Sequence, residues 1–370
     1  MNGLYVMILL MFSSAAFSAP IEVPIAFIEA LDSKDTTSSE RFRKEYELAI
    51  RYGVELTAKE VESCGYRIKP VPSFYGASDP LQAKERTENS VKSGVWFVVG
   101  PRRSNHYILA AKGSQDVPSV SLMASSDEVL SLGPKHLSIV APNSVMAKVA
   151  AKEARSQIKG KSKKSYISVV RDDCLFCKGF ADQFNAAAKA VGLMKAAEIS
   201  ILSNEPDLKE VVAAIESNKP SFVLLPNYSI VSGFVIEKLH KKYPDLFFVG
   251  GDGWGTNFGF VENGRDIGNA KGFTVRGNPP VDVGMKSFPT GKKLLADSGR
   301  IPVASATALS LIKIIDSTKA FLCKHKPKKI EEFASYFEKN GKQYFSAPWG
   351  VSIYQLSSGN IEYKKSSRAM

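Results

Sequence analysis

One feature constrains this chain above all others: short apolar runs of strand length alternate with segments of helical periodicity, and short polar or glycine-bearing turns link them. Residues 21–30 read as the first strand and residues 40–61 as a long helix that Gly65 ends. Residues 66–72 are the next extended segment. Asp79-Pro80 then opens a helix to Lys92, with Asp as cap and Pro at the first helical position. Further strands are expected at 96–99, 119–122, 137–140, 166–170, 197–201, 222–225 and 246–249, with helices at 105–112, 144–157, 179–191, 208–217 and 231–242. Alternation of this kind builds parallel, doubly wound sheets, so the expected fold class is α/β. The chain of 370 residues is long enough for two such units in tandem. The first ends near Ala141. The second begins near Pro142, and Gly277-Asn278-Pro279-Pro280 forms a hinge-like break after it.

Residues 1–20 stand apart. They carry no Asp, Glu, Lys or Arg, and residues 6–12 are uninterruptedly apolar. Ala16-Phe17-Ser18 places small residues at the two positions a signal peptidase reads, so residues 1–18 are expected to be a cleaved signal peptide. The apolar core is too short to span a bilayer, and no Cys near the cleavage site offers a lipid anchor. The expected location is therefore periplasmic. The formal charge of +12 is spread over lysines scattered along helices and in short clusters, with no zinc-finger spacing, single-strand aromatic module or recognition-helix pattern. It reads as solvated surface, and nucleic acid is not an expected partner.

Four cysteines, Cys64, Cys174, Cys177 and Cys323, allow three pairings. A lone Cys174-x-x-Cys177 lacks the second ligand pair of a structural zinc site, so a local disulfide is the leading reading there. His106, His136, His240 and His325 are isolated, and no nucleophile elbow, phosphate-binding loop or metalloprotease helix is present. No enzymatic activity, metal or cofactor is expected.

Polar clusters stand at several strand ends: Arg102, Arg103 and Ser104; residues 121–125; residues 172–177; Asn227-Tyr228; and residues 252–254. In doubly wound sheets these ends point to one edge, where small ligands bind. Two units facing each other would form a cleft with hydroxyls and arginines on one side and Asp252 and Tyr228 on the other. Such a cleft suits a carboxylate on the first unit and an ammonium on the second.

Together, Gly53–Ala58, Asp79-Pro80, Gly94–Pro101 before Ser104, 117–125, 220–228 and 248–253 resemble, in this order and spacing, the periplasmic solute-binding proteins of branched-chain amino-acid (Leu/Ile/Val-binding) type. These are receptors of ABC importers. The resemblance implies a type I periplasmic-binding fold of two lobes joined by three crossings. Lobe one would hold residues 19–141 and 275–340, and lobe two residues 142–274 and 341–370. It implies that Ser104 helps hold a ligand carboxylate, that the Met123 carbonyl receives the ligand ammonium and that Ser125 makes further contacts. Asp252 would pair with the ammonium, and Tyr228 would cover the ligand from lobe two. Arg102, Arg103, Asn143 and Phe176 are secondary candidates. With Cys64 and Cys323 each ending a helix of lobe one, a Cys64–Cys323 disulfide is also expected.

The chain departs from the family pattern in places. Glu29-Ala30-Leu31 follows the first strand without the usual glycine turn, and Asn143 replaces an Asp. Phe176-Cys177-Lys178-Gly179 replaces a Tyr-Gly-x-Gly element, and two arginines precede Ser104. These changes are compatible with a smaller or more acidic carboxylate, or an amide, in place of leucine. The functional expectation is an extracytoplasmic, monomeric receptor for a small polar, carboxylate-bearing solute, an amino acid or related compound, that delivers it to an inner-membrane ABC permease. The alternative is a sensor of the same fold with no transport role.

Overall fold

The computed structural model describes residues 19–31, 36–160, 164–254, 265–298, 305–346, 348–357 and 360–367. Residues 1–18, where a signal peptide is expected, and Ser358 and Gly359 lie outside them.

Two sheets organise the described chain. The first contains β1 (Ile21–Leu31), β2 (Tyr66–Gly76), β3 (Phe97–Val99), β4 (Ser119–Ser121) and β5 (His136–Ser138), in the order β2-β1-β3-β4-β5 and all parallel. β1 is buried along nearly its whole length, as expected of a strand covered on both faces. Pro70 and Pro72 cannot donate to a ladder, and β2, which carries them, is an edge strand. One face of this sheet is covered by α1 (Thr36–Ser63), α10 (Ala306–His325) and α11 (Ile330–Phe345), and the other by α2 (Leu81–Lys92) and α3 (Ser104–Ser114). Phe97, Phe321, Phe333, Phe337 and Phe345 meet in the first of these cores edge-on or tilted, with Phe333 and Phe337 stacked, the geometries that aromatic quadrupoles favour.

The second sheet holds β6 (Ser165–Arg171), β7 (Met194–Ile201), β8 (Phe222–Leu225), β9 (Phe247–Gly250), β10 (Lys271–Arg276), β11 (Val351–Ser357) and β12 (Asn360–Ser367). Their order is β12-β11-β10-β9-β8-β6-β7, with β11 antiparallel to both β10 and β12 and the other pairs parallel. α4 (Asn143–Gln157) and α5 (Leu175–Ala190) pack on one face, and α6 (Lys209–Asn218) and α7 (Ser229–Lys242) on the other. The short α8 (Val281–Met285) and α9 (Pro289–Ser298) lead back to the first lobe. No helix among the described residues is long and apolar enough to cross a membrane.

The chain passes between lobes three times. Val140 belongs to the lobe-one core and Ala141 to that of lobe two. The second crossing follows Arg276, because Val275 and Arg276 still pair with β11. The third follows Phe345 and not residue 340: α11 runs five residues further, and Phe345 is fully buried in the lobe-one aromatic core. Cys64 and Cys323 form a disulfide between the ends of α1 and α10. Cys174 and Cys177 form another in the first turn of α5.

Candidate functional site

The lobe-one rim is built by the turn after β3. Gly100 adopts φ +89°, and a Cβ there would stand 2.2 Å from the Ile28 carbonyl oxygen, so only glycine lets the chain pass this close to β1. Arg103 then takes the extended cap conformation and Ser104 begins α3. The Ser104 Oγ accepts the Ser126 N–H at 3.2 Å, which leaves its own proton available to donate. The Ser121 hydroxyl donates to the Pro101 carbonyl at 2.7 Å and accepts the Ala124 N–H at 2.9 Å, tying the turns after β3 and β4 together.

Beneath this rim lies a charge that the sequence reading registered only as a departure. Glu29 is fully buried near the end of β1, and its carboxylate accepts the N–H groups of Ala30 and Arg102 at 2.9 and 3.1 Å. The Arg102 Nε lies 3.8 Å away, and that guanidinium also stacks 4.1 Å over the Phe42 ring. Burial pushes the Glu29 carboxyl above the usual carboxylate range, against the opposing pull of Arg102.

On the lobe-two side, Asn227 is fully buried and bridges strands: its Oδ1 accepts the Arg171 N–H and its Nδ2 donates to the Val169 carbonyl, both at 2.8 Å. The bridge secures the end of β8 against β6 and sets Tyr228 at the cap of α7. The Tyr228 ring stacks on buried Phe176 at 5.6 Å between centroids and 30° between planes. Cys174 caps α5 beside it, its Sγ accepting the Cys177 N–H at 3.2 Å. Tyr228 keeps 42% of its surface open while its ring rests on Phe176, as a side chain lining a gap does. Burial raises its hydroxyl pKa, while Arg103 and Arg102 from lobe one, and Arg171, pull it down. α3 and α5 touch across the same gap.

The structure therefore brings Arg102, Arg103, Tyr228 and Asp252 into one electrostatic neighbourhood, with Ser104 beginning the helix on its rim and Phe176 behind Tyr228. The other candidates have local roles. The Met123 side chain packs on the lobe-one core and its Sδ accepts the Thr307 hydroxyl at 3.6 Å. Ser125 accepts the Asn143 N–H through its carbonyl at 2.6 Å, a bond that spans the first crossing. The Asn143 Oδ1 is buried without a partner. Trp254 is fully buried in the lobe-two core and donates to the Leu225 carbonyl at 2.9 Å, so it is no part of the cleft wall.

Asp252 has a counter-ion that sequence reasoning missed. The Arg276 Nε lies 3.8 Å from its Oδ1, and the Gly277 N–H donates to the same oxygen at 3.3 Å. Both side chains are almost wholly buried, and the Arg276 guanidinium also lies 5.3 Å from the Tyr354 ring centroid. Burial raises the Asp252 carboxyl pKa and Arg276 lowers it. The expectation that Asp252 awaits a ligand ammonium thus meets a site where a protein cation already stands. The available signal was a cationic residue at a strand end before a Gly-Asn-Pro-Pro break.

Several solved structures share this architecture. The leucine-binding protein LivK of Thermotoga maritima superposes with a TM-score of 0.73 at 13% identity, over 93% of this chain and 98% of that one. LivJ of Streptococcus pneumoniae, in complex with isoleucine, gives 0.69 at 17% identity over 93% and 99%. This chain has the type I periplasmic-binding fold. A solute-binding protein of R. palustris in complex with benzoate shares it at a TM-score of 0.65 and 14% identity, over 94% and 99% of the two chains. In sequence, the periplasmic-binding fold here is related to the Leu/Ile/Val-binding protein BraC3 of Rhizobium johnstonii, 28% identical over 204 residues. That match covers 54% of this chain and 53% of BraC3, so the chain spans about half the length of the curated relative it matches. No family model matches the chain.

Proposed function

We propose that this protein is an extracytoplasmic solute-binding receptor that closes its two lobes over a small carboxylate-bearing solute, an amino acid or a related compound, and presents it to an ABC permease in the inner membrane. One observation carries the reading: α3 of lobe one, which begins at Ser104, meets α5 of lobe two, where Phe176 stacks on the partly open Tyr228. A solute that touches both rims favours the closed form by its differential contacts. Two or three charge-assisted hydrogen bonds at about 1.5–3 kcal/mol each, with apolar burial, suffice for the ~8 kcal/mol of micromolar binding. Proteins sharing the fold are complexes with leucine, isoleucine and benzoate, each a small carboxylate. The basic surface charge is then solvated exterior, and neither catalysis nor a cofactor enters the reading.

The test is a thermal-shift screen of the mature chain against amino acids, short dicarboxylates, aromatic acids, amides and urea. A ligand at a hundred times its Kd stabilises by about 2.7 kcal/mol, roughly 3–5 °C for a chain of this size. At least one carboxylate is expected to produce such a shift. A flat response to every carboxylate overturns the proposal.

A further inference from the structure

We propose that the Cys174–Cys177 disulfide is a positioning element of the solute site: it clips Phe176 against Tyr228, and opening it with a dithiol reductant weakens solute binding without unfolding the lobe. The proposal rests on the receptor reading above and concerns how that site is held and regulated.

Phe176 lies inside the loop that the disulfide closes, in the first turn of α5. Several elements of lobe two converge on it. Its ring stacks on Tyr228, the cap residue of α7, and tilts against Phe180 of α5 at 6.2 Å between centroids. The short turn at 252–254 presses on the same ring, since a Cβ on Gly253 would stand 3.0 Å from its Cε1. The Phe176 carbonyl accepts the Asn143 Nδ2 at 3.4 Å, and Asn143 opens α4 directly after the first crossing. Phe176 therefore ties that crossing to the partly open tyrosine on the gap.

The covalent bond is the firmest constraint on this turn. The Cys174 Sγ accepts the Cys177 N–H at 3.2 Å, but sulfur is a weak acceptor and a poor substitute for the Ser, Asp or Asn that hold helix starts. Leu175, between Cys174 and Phe176, is exposed and adds little packing. The other disulfide is placed for different work. Cys64 stands just before β2, at the N-terminal edge of the lobe-one sheet and opposite the strand ends that bound the gap.

Cys174 keeps 8% of its surface open and Cys177 none, so the Cys174 sulfur is the one a thiolate reaches. The reductant's thiolate bonds to Cys174 Sγ as the S–S bond breaks, and the Cys177 sulfur leaves as a thiolate and takes up a proton. The second thiol of the reductant, deprotonated, then attacks the reductant's own sulfur in the mixed disulfide. The reductant departs as a cyclic disulfide, and Cys174 leaves as a thiolate that is protonated. Two electrons and two protons pass from the dithiol to the protein.

Two double variants separate positioning from general stability. Cys174→Ser/Cys177→Ala removes the clip while giving α5 a better cap, and Cys64→Ala/Cys323→Ala removes the remote bridge and keeps the clip. Calorimetric titration uses leucine, isoleucine and benzoate, with any further carboxylate that shifts the thermal transition in the screen above. Cys174→Ser/Cys177→Ala is expected to bind about three- to tenfold more weakly than the wild type, the scale of one aromatic pair. Cys64→Ala/Cys323→Ala should keep the wild-type affinity despite a larger loss of stability. Dithiothreitol added to that second variant should reproduce the weakening, and reoxidation should reverse it. If the second variant does not fold, Cys174→Ser/Cys177→Ala alone decides. Unchanged affinity in Cys174→Ser/Cys177→Ala, or in the reduced chain once mass spectrometry shows two free thiols, overturns the positioning role and leaves the receptor reading standing. A Cys174→Ser/Cys177→Ala chain that circular dichroism shows unfolded overturns it as well, because the bond would then serve folding. If no carboxylate binds the oxidised wild type, the receptor reading falls and this proposal falls with it.

Discussion

Arg276 Nε and Asp252 Oδ1 lie 3.8 Å apart where β10 leaves lobe two, and both side chains are shielded from solvent. Removing one partner of such a pair strands the other charge in a low-dielectric interior. Arg276→Met is therefore expected to destabilise the protein by about 3–5 kcal/mol. Adding Asp252→Asn to that variant should restore part of the loss. Urea unfolding of the two single variants and the double variant measures the coupling, and additive losses would show that the pair does not interact.

The Glu29 carboxyl gives a pH dependence of defined sign. Its folded pKa is raised, foremost by burial, so the folded state binds the proton more tightly than the unfolded chain does. This contribution to stability is fully present below the ordinary carboxylate value and is lost as pH rises through the raised folded value. Glu29→Gln cannot titrate. The stability of the wild type relative to this variant should fall from pH 4 to pH 8, as read by urea melts at a series of pH values. A flat difference would mean that Glu29 keeps an ordinary pKa.

The Cys64–Cys323 disulfide closes a loop with a sequence separation of 259 residues, whereas Cys174–Cys177 spans a separation of 3. Cross-linking distant positions removes more freedom from the unfolded chain. Replacing Cys64 and Cys323 by Ala should cost about 2–5 kcal/mol, and replacing Cys174 and Cys177 clearly less. Thermal unfolding of the two double variants decides between this order and its reverse.

Gly253 lies where lobe two has no room for a side chain. A Cβ there would stand 2.8 Å from the Asn227 carbonyl oxygen and 3.0 Å from Phe176 Cε1. Gly253→Ala should cost about 1–3 kcal/mol through overpacking. It should also weaken solute binding several-fold, because the displaced groups carry Tyr228. Equal affinity in the variant would show that the Phe176–Tyr228 surface is not part of the site.

Much of this was legible in the residues alone, and the physical reasons differ by feature. β1, β3 and β8 were readable because a strand covered on both faces must be apolar throughout. Strand ends were readable because parallel sheets concentrate polar turns at one edge, which drew attention to Ser104, Tyr228 and Asp252. Periodicity alone supports a short helix over 329–339, and the helix runs on to Phe345. What extends α11 to Phe345 is burial against Phe97 of β3 and Phe321 of α10, residues distant in sequence that no local window contains.

By itself, the order of strands, helices and turns determined the two-lobed α/β fold, because local periodicity and turn chemistry admit few ways to bury those apolar faces. Only the tertiary structure decided the charge state of the cleft. Arg276 lies 24 positions after Asp252, and Arg102 lies 73 after Glu29, yet folding makes each pair neighbours. Electrostatic pairing depends on distance and burial in space, and those are fixed only when the sheets and their crossings are in place.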